Sequence, residues 1–278
     1  MRIGLTGARG VLGTRLFSAL SLKGHEILPF DGDIRDSSSL DPWVTGLDAV
    51  VHAAAIVPVR KVMDHLSVAI SVNVGGTANV ARAVARNPNC HLTYISTSHV
   101  YASSDRPLKE DEVPNPISYY GRTKLQGEQW VSSLLERTLI VRVFSFFDER
   151  QTEPYLIPSL QTRIVSATRG SSLQLVGALN MRDIADARWI AEVCARLVDA
   201  TQTGTVNCAT GICHSVLELA LKLTEVLDRT DVKWDFDKND PPNVLAADVS
   251  LLVSRIGVLP SFDLQSALRR YVSSQAQE

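Results

Sequence analysis

Residues 2–13, RIGLTGARGVLG, decide how the rest of the chain is read. Arg2 to Thr6 is a short aliphatic run, strand-like, and it stops at Gly7. A helical pattern follows, with Leu12, Leu16, Ala19 and Leu20 on one face, up to Lys23-Gly24. Between the two stand Gly7, Gly10 and Gly13. In a strand–turn–helix unit Gly7 permits the tight turn, Gly10 lets a phosphate approach the backbone, and Gly13 lets the helix lie close to the strand. The first turn of the helix, with Arg9, Val11 and Leu12 around it, then points its free N–H groups and positive dipole end at the phosphates. The stretch therefore reads as the start of a dinucleotide-binding unit, spaced G-x-x-G-x-x-G rather than G-x-G-x-x-G.

Outward from this unit, strand-like and helix-like segments alternate. Glu26 to Phe30 is a second strand, and Asp31 at its carboxyl end is placed to accept hydrogen bonds from ribose hydroxyls, which favours NAD. Arg9 pulls towards NADP, because a guanidinium there suits a 2′-phosphate. Both cofactors stay open, with Asp31 leaning the balance to NAD. Asp48 to Ala53 is a third strand running into Ala53-Ala54-Ala55, whose small side chains let a flat ligand lie against the backbone. His52, inside that apolar run, is expected to be structural. His91 to Ser96 and Thr138 to Val143 are further buried strands. Asp183 is expected to cap a helix running to about Ala200, with a strand at Thr205 to Cys208. Ser215 is expected to cap a helix to about Leu227, and Asp263 a final helix from Leu264 to Val272. The alternation predicts an α/β protein built on a doubly wound parallel sheet with a smaller C-terminal α/β substrate lobe. The dinucleotide-binding domain is expected over 1–143 with return segments near 178–216, and the substrate lobe over 144–177 and 217–278.

Composition narrows the classes. The chain has 278 residues, 45% hydrophobic and 21% charged, with a formal net charge of -2. That is ordinary for a globular protein with a sizeable core and unlike a basic nucleic-acid surface. No apolar stretch approaches the roughly 18 residues of a membrane span, so no membrane partner and a cytoplasmic location are expected. Four scattered cysteines lack metal-ligand spacing and are read as reduced thiols, with no metal.

The stretch Asn115 to Glu128, NPISYYGRTKLQGE, carries the chemistry. Tyr120 and Lys124 stand one helical turn apart on a segment that follows a proline loop, so they share a face. A lysine ammonium beside a phenol favours the phenolate, and Lys124 is expected to lower the Tyr120 pKa. A phenol so tuned is a general acid/base. Upstream, Thr97 and Ser98 lie at the carboxyl end of a strand, where open α/β sheets bind ligands.

With these residues in order, the chain resembles the extended short-chain dehydrogenases/reductases of the NAD-dependent epimerase/dehydratase family, which have the Rossmann fold. The landmarks are TGARGVLG at 6–13, DGDIRD at 31–36, VVHAAA at 50–55, NVGGT at 73–77, STSHVY at 96–101 and the 115–128 stretch. The resemblance implies that Tyr120 is the catalytic acid/base, that Lys124 lowers its pKa and binds the nicotinamide ribose, that Thr97 orients the reacting oxygen, and that Asn73 is the family's helix asparagine. It further implies Asp33 and Ile34 at the adenine and Phe144 in the segment that meets the nicotinamide. Ser98, His99, Ser145 and Arg182 fall where family members touch substrate. Two departures matter. The Asp-Glu pair of sugar dehydratases is replaced by Ser98-His99, and Ser145 stands where the family often has Asn. The expected function is NAD(P)-dependent oxidation, reduction or epimerisation at a sugar hydroxyl or ketone, most naturally of a nucleotide-linked sugar. A uronate-type dehydrogenase, suggested by His99, and a non-catalytic NAD(P)-binding sensor or scaffold are the alternatives. A homodimer through the Tyr120 helix is what the family would offer.

Overall fold

In the computed structural model, which describes residues 1–57 and 59–275, the chain begins β1 (Arg2–Thr6), α1 (Val11–Leu22), β2 (Glu26–Phe30), α2 (Ser37–Val44) and β3 (Ala49–His52). Two short helices, α3 (Val59–Asp64) and α4 (Leu66–Ile70), and a π-helical turn at Ser71–Gly76 lead into α5 (Thr77–Ala85) and β4 (His91–Thr97). After a loop come α6 (Tyr119–Leu134), β5 (Thr138–Val143) and, immediately behind it, β6 (Ser145–Phe147). The remainder runs α7 (Leu156–Ser166), β7 (Ser172–Gln174), β8 (Met181–Asp186), α8 (Ala187–Asp199), β9 (Gly204–Cys208) and β10 (Cys213–Ser215). It closes with α9 (Val216–Val226), β11 (Lys233–Asp235), β12 (Val244–Leu245), α10 (Ser250–Ile256) and α11 (Leu264–Gln275).

The central sheet has six parallel strands in the order β2-β1-β3-β4-β5-β9. Helices cover both faces, which is why β3, β4 and β5 read as unbroken buried runs rather than alternating ones. One face buries Leu16 and Leu20 of α1 with Ile190, Val193 and Leu197 of α8. The other buries Leu40 of α2, Val80 and Val84 of α5, and Val131 of α6. This is the doubly wound, Rossmann-like α/β fold expected. Strand order reverses between β1 and β3, and at such a point the loops beyond the carboxyl ends part to leave a crevice. The usual strand beyond β2 is absent from the described sheet: residues 31–36 pass straight to α2. That leaves β2 as an edge, where Pro29 costs no ladder hydrogen bond.

The second lobe has its own core, with Phe147, Leu160, Ile164, Leu219, Leu223 and Leu268 packed together. Its sheet is mixed, and it corrects one expectation. β10 runs antiparallel to β8 while β12 and β6 run parallel to it; the short turn after β9 has no room for the crossover that would restore the parallel direction. Asp183 lies inside β8 and caps nothing. Its buried carboxylate accepts hydrogen bonds from Thr210 N (2.9 Å), Thr210 Oγ1 (2.7 Å) and Gly211 N (2.7 Å). The cap of α8 is Asp186, which accepts from Trp189 N at 2.8 Å. No helix among the described residues is long and apolar enough to cross a membrane.

Because Leu20 is fully buried between α1 and the sheet, Leu20→Ala is expected to cost roughly 2–5 kcal/mol of stability. A urea-unfolding midpoint checks this, and a shift below about 0.5 kcal/mol would contradict the packing.

Candidate active site

The glycine turn is built as its spacing implies. Gly7 has φ +72°, a conformation that L side chains rarely adopt, and a Cβ there would meet Ala54 N at 2.7 Å. A Cβ on Gly13 would lie 1.9 Å from Gly7 O, so only glycine lets α1 start this close to β1. Gly10 caps α1 without a side-chain hydrogen bond, and Val11 opens the helix while Leu12 packs on the core. A cleft of about 640 Å³ runs from this turn past Asp31, Asp33 and Ile34 to Ala53, Ala54 and Ala55. Its shape and its glycine floor fit the adenosine and phosphates of a dinucleotide. Phe30, Ile56 and Val72 also line it; nothing in their local sequence pattern sets them apart as ligand contacts.

The two residues that disputed the cofactor are bound to each other. Arg9 Nη2 lies 2.6 Å from Asp31 Oδ1, with the side chains 81% and 70% exposed. Asp33 is held by Arg35 through hydrogen bonds at 2.9 and 3.0 Å, which keep its carboxyl down at about 2.

Further along the carboxyl ends, β4 delivers Thr97 and α6 delivers Tyr120 and Lys124. Ser118 caps α6 by accepting from Gly121 N at 3.0 Å, and a Cβ on Gly121 would meet His99 O at 2.1 Å. The helix thus starts tight against the β4 loop, and the His99 ring lies edge-on to Tyr120 at 5.7 Å. Thr97 Oγ1 accepts from His99 N at 3.2 Å. The expected lowering of the Tyr120 pKa is reversed: burial pushes the phenol up and the neighbouring Tyr155 adds to this, while the Thr97 hydroxyl pulls it down. Lys124 is the group that moves down. Its side chain is 2% exposed with Nζ 4.0 Å over the Tyr94 ring, and burial lowers it to about 7 against the pull of Glu128.

The other expected residues fall as follows. Asn73 is fully buried; its side chain accepts from Ile56 N (2.7 Å) and donates to Ile56 O (3.2 Å) and Thr123 Oγ1 (3.1 Å). It staples the β3 exit to α6. The Phe144 ring is packed among Val100, Tyr101 and Leu245. Ser98 is buried in the turn after β4 and Ser145 is half-buried at the start of β6. Arg182 is half-buried, donates to the carbonyls of Met181 (2.8 Å) and Asn243 (2.7 Å), and lowers the His99 pKa in addition to burial. His52 is structural, as expected: it bridges Thr6 Oγ1 (2.6 Å) and Thr77 Oγ1 (2.9 Å). Two features were missed in the sequence. Tyr155, where α7 begins, faces Tyr120. Glu128 and Arg142 form a buried pair at 2.8 Å under the site. Their signals were available: Glu128 repeats the Tyr120–Lys124 spacing, and Arg142 interrupts an apolar strand.

A family profile described as RmlD substrate binding domain matches residues 1–231. The chain belongs to that family. Among relatives of this RmlD-family chain, the dTDP-4-dehydrorhamnose reductase of Mycolicibacterium smegmatis is 36% identical over 51% of this chain and 44% of its own length. The GDP-6-deoxy-D-mannose reductase of Pseudomonas aeruginosa is 27% identical over 81% of this chain and 80% of its own. The chain spans about half the length of the first curated relatives it matches. A solved Pseudomonas aeruginosa protein, RMD complexed with NADPH, superposes with a TM-score of 0.86 at 22% identity, covering 99% of each chain. Other neighbours of this fold are solved with NAD or NADP. The extended short-chain dehydrogenase resemblance is thus the family of the chain.

His52, neutral between two hydroxyls, is lowered to about 3, first by burial and then by Lys124, from an ordinary value of 6.5. A folded pKa below the unfolded one gives stability that is present above 6.5 and is lost as pH falls towards about 3. In that window His52 is expected to add a slope of about 1.4 kcal/mol per pH unit. Urea midpoints taken from pH 7 to 5 should fall more steeply in the wild type than in His52→Asn; parallel curves would contradict the assignment.

Proposed function

We propose that this chain is an NAD(P)-dependent reductase of a keto group on a nucleotide-linked sugar, with Tyr120 as the proton donor. The observation that carries this is the convergence of Thr97, Tyr120 and Lys124 at the sheet edge that also holds the glycine-floored cleft. The turn at Gly7, Gly10 and Gly13 would receive the cofactor phosphates, and Asp31 or Arg9 the adenosine ribose. Asp33 and Ile34 would flank the adenine, with Ala53 to Ala55 along the dinucleotide. Lys124 would take the second ribose. The bound nicotinamide supplies the hydride.

The chain's own residues do the rest. Thr97 Oγ1 and the Tyr120 phenol stand together, able to hold one oxygen between them. The phenol, which burial raises further, is protonated at neutral pH, and in a reduction it would give that proton to the ketone oxygen. His99 and Arg182 flank this point, with Ser98 next to His99 in the chain and Ser145 paired with Ile184 on the strand that carries Arg182. Arg182, whose hydrogen bonds go to carbonyl oxygens, has a free charge suited to a diphosphate. The relatives named as nucleotide-sugar reductases support the same substrate class. A second reading, oxidation of a free sugar acid, has the same arginine in its favour, since a carboxylate would also suit it.

Turnover of dTDP-4-dehydrorhamnose with NADPH or NADH is the direct assay. Tyr120→Phe is expected to lower kcat about 100-fold or more while cofactor affinity stays within a few-fold; wild-type turnover in this variant would sink the proton-donor role. Oxidation of a uronic acid by NAD, with no nucleotide-sugar turnover, would select the second reading. Cofactor binding with neither activity would select a sensor or scaffold. Separately, Asp31→Ala is expected to weaken NADH about 3- to 10-fold and Arg9→Ala to do the same to NADPH. Equal effects of both changes on both cofactors, read by fluorescence titration, would remove these roles.

A further inference from the structure

Lys124 is buried with its charge at risk. The groups that face it are Tyr120 and Glu128 on its own helix, His52 from β3 and Tyr94 from β4, with Arg142 of β5 behind Glu128. Among these Glu128 carries the negative charge. It is 4% exposed and one helical turn beyond Lys124, as Lys124 is beyond Tyr120. Its carboxylate accepts from Ser96 Oγ on β4 and from Arg142 Nε (3.1 Å) and Nη2 (2.8 Å) on β5. Arg142 in turn donates to Tyr101 Oη (2.7 Å) and Glu110 O (3.1 Å), and Tyr101 donates to Asn207 on β9 (2.9 Å). One carboxylate therefore ties α6 to the strand that carries Thr97, to β5 and to the loop that follows His99.

We propose that Glu128 is a positioning residue of the site: clamped by Ser96 and Arg142, it fixes the rotation of α6 and supplies the counter-charge that keeps Lys124 an ammonium. The inference rests on the assignment of Lys124 to the cofactor ribose and of Tyr120 to the proton. Burial drives Lys124 down and Glu128 is the cause that raises it, so loss of the carboxylate lowers it further. An unpaired charge at such depth is costly, which gives the clamp its reach over both function and geometry.

The test is the pH dependence, from 6 to 9, of the affinity for NADPH or NADH, whichever binds tighter, together with kcat on the keto sugar. In wild type, affinity falls as pH rises through the Lys124 value. In Glu128→Gln that fall is expected about one pH unit lower. Glu128→Asp keeps the charge but cannot span Ser96 and Arg142, so its affinity profile should stay unshifted while kcat drops roughly 10-fold. Tyr120→Phe should leave the affinity profile as in wild type, so a failed proton-donor role would show in kcat alone. A Glu128→Gln profile that superposes on wild type, or an equal shift in Glu128→Asp, overturns the proposal. If Glu128→Gln does not fold, the Glu128→Gln/Arg142→Met double variant removes the pair together; losing the clamp, it is expected to drop kcat roughly 10-fold as Glu128→Asp does, and wild-type kcat there overturns the proposal.

Discussion

The site depends on how closely α6 lies against β4. Two glycines of that helix touch the strand and its loop: a Cβ at Gly121 would strike His99 O, and one at Gly127 would come within 2.1 Å of Tyr94 Oη. That approach takes Lys124 out of water and lays its ammonium on an aromatic face, and it brings Tyr120 beside Thr97. Everything else near the site follows from supporting that contact. Asn73 joins the helix to the β3 exit, His52 stays neutral beside a cation, and the Glu128–Arg142 pair closes the gap below. Asn73, His52, Glu128 and Arg142 each have hydrogen-bond partners, as low-dielectric surroundings require.

The same burial acts on the protonation of both groups. A tyrosine and a lysine one turn apart suggest, on paper, a phenol made more acidic by its neighbour. Packed away from water, both groups are pushed towards their neutral forms, so the phenol rises and the ammonium falls. Desolvation is the largest cause for each group, and neither shift has the other group among its causes. The result is a protonated phenol near a lysine lowered to about 7.

Much of this was legible in the residues. The β1–α1 turn is local, and steric limits on Gly7 and Gly13 leave few alternatives. The Tyr120–Lys124 spacing and the hydroxyl of Thr97 were visible because helix and strand periodicities are short-range. The missing parts are long-range. Glu128 and Arg142 meet only once α6 folds over β5, and each charge alone reads as an ordinary surface group. Asp183 was read as the cap because nothing local shows that β8 runs on to Asp186 and, paired with β10, buries the Asp183 carboxylate. Phe144 was expected in the segment that meets the nicotinamide, and its ring packs with Val100 and Tyr101 beyond β4, a long-range contact the sequence does not show. Arg9 and Asp31 could be weighed only as rivals; the fold makes them partners.

The edge at β2, beyond which the described sheet has no further strand, bears on how a cofactor would be held. The end of the cleft at Arg9 and Asp31 lies at the rim of the sheet, where both side chains face solvent and their ion pair, in high dielectric, is worth little. Under the proposed function, grip at that end would come from polar contacts that salt weakens rather than from enclosed apolar surface.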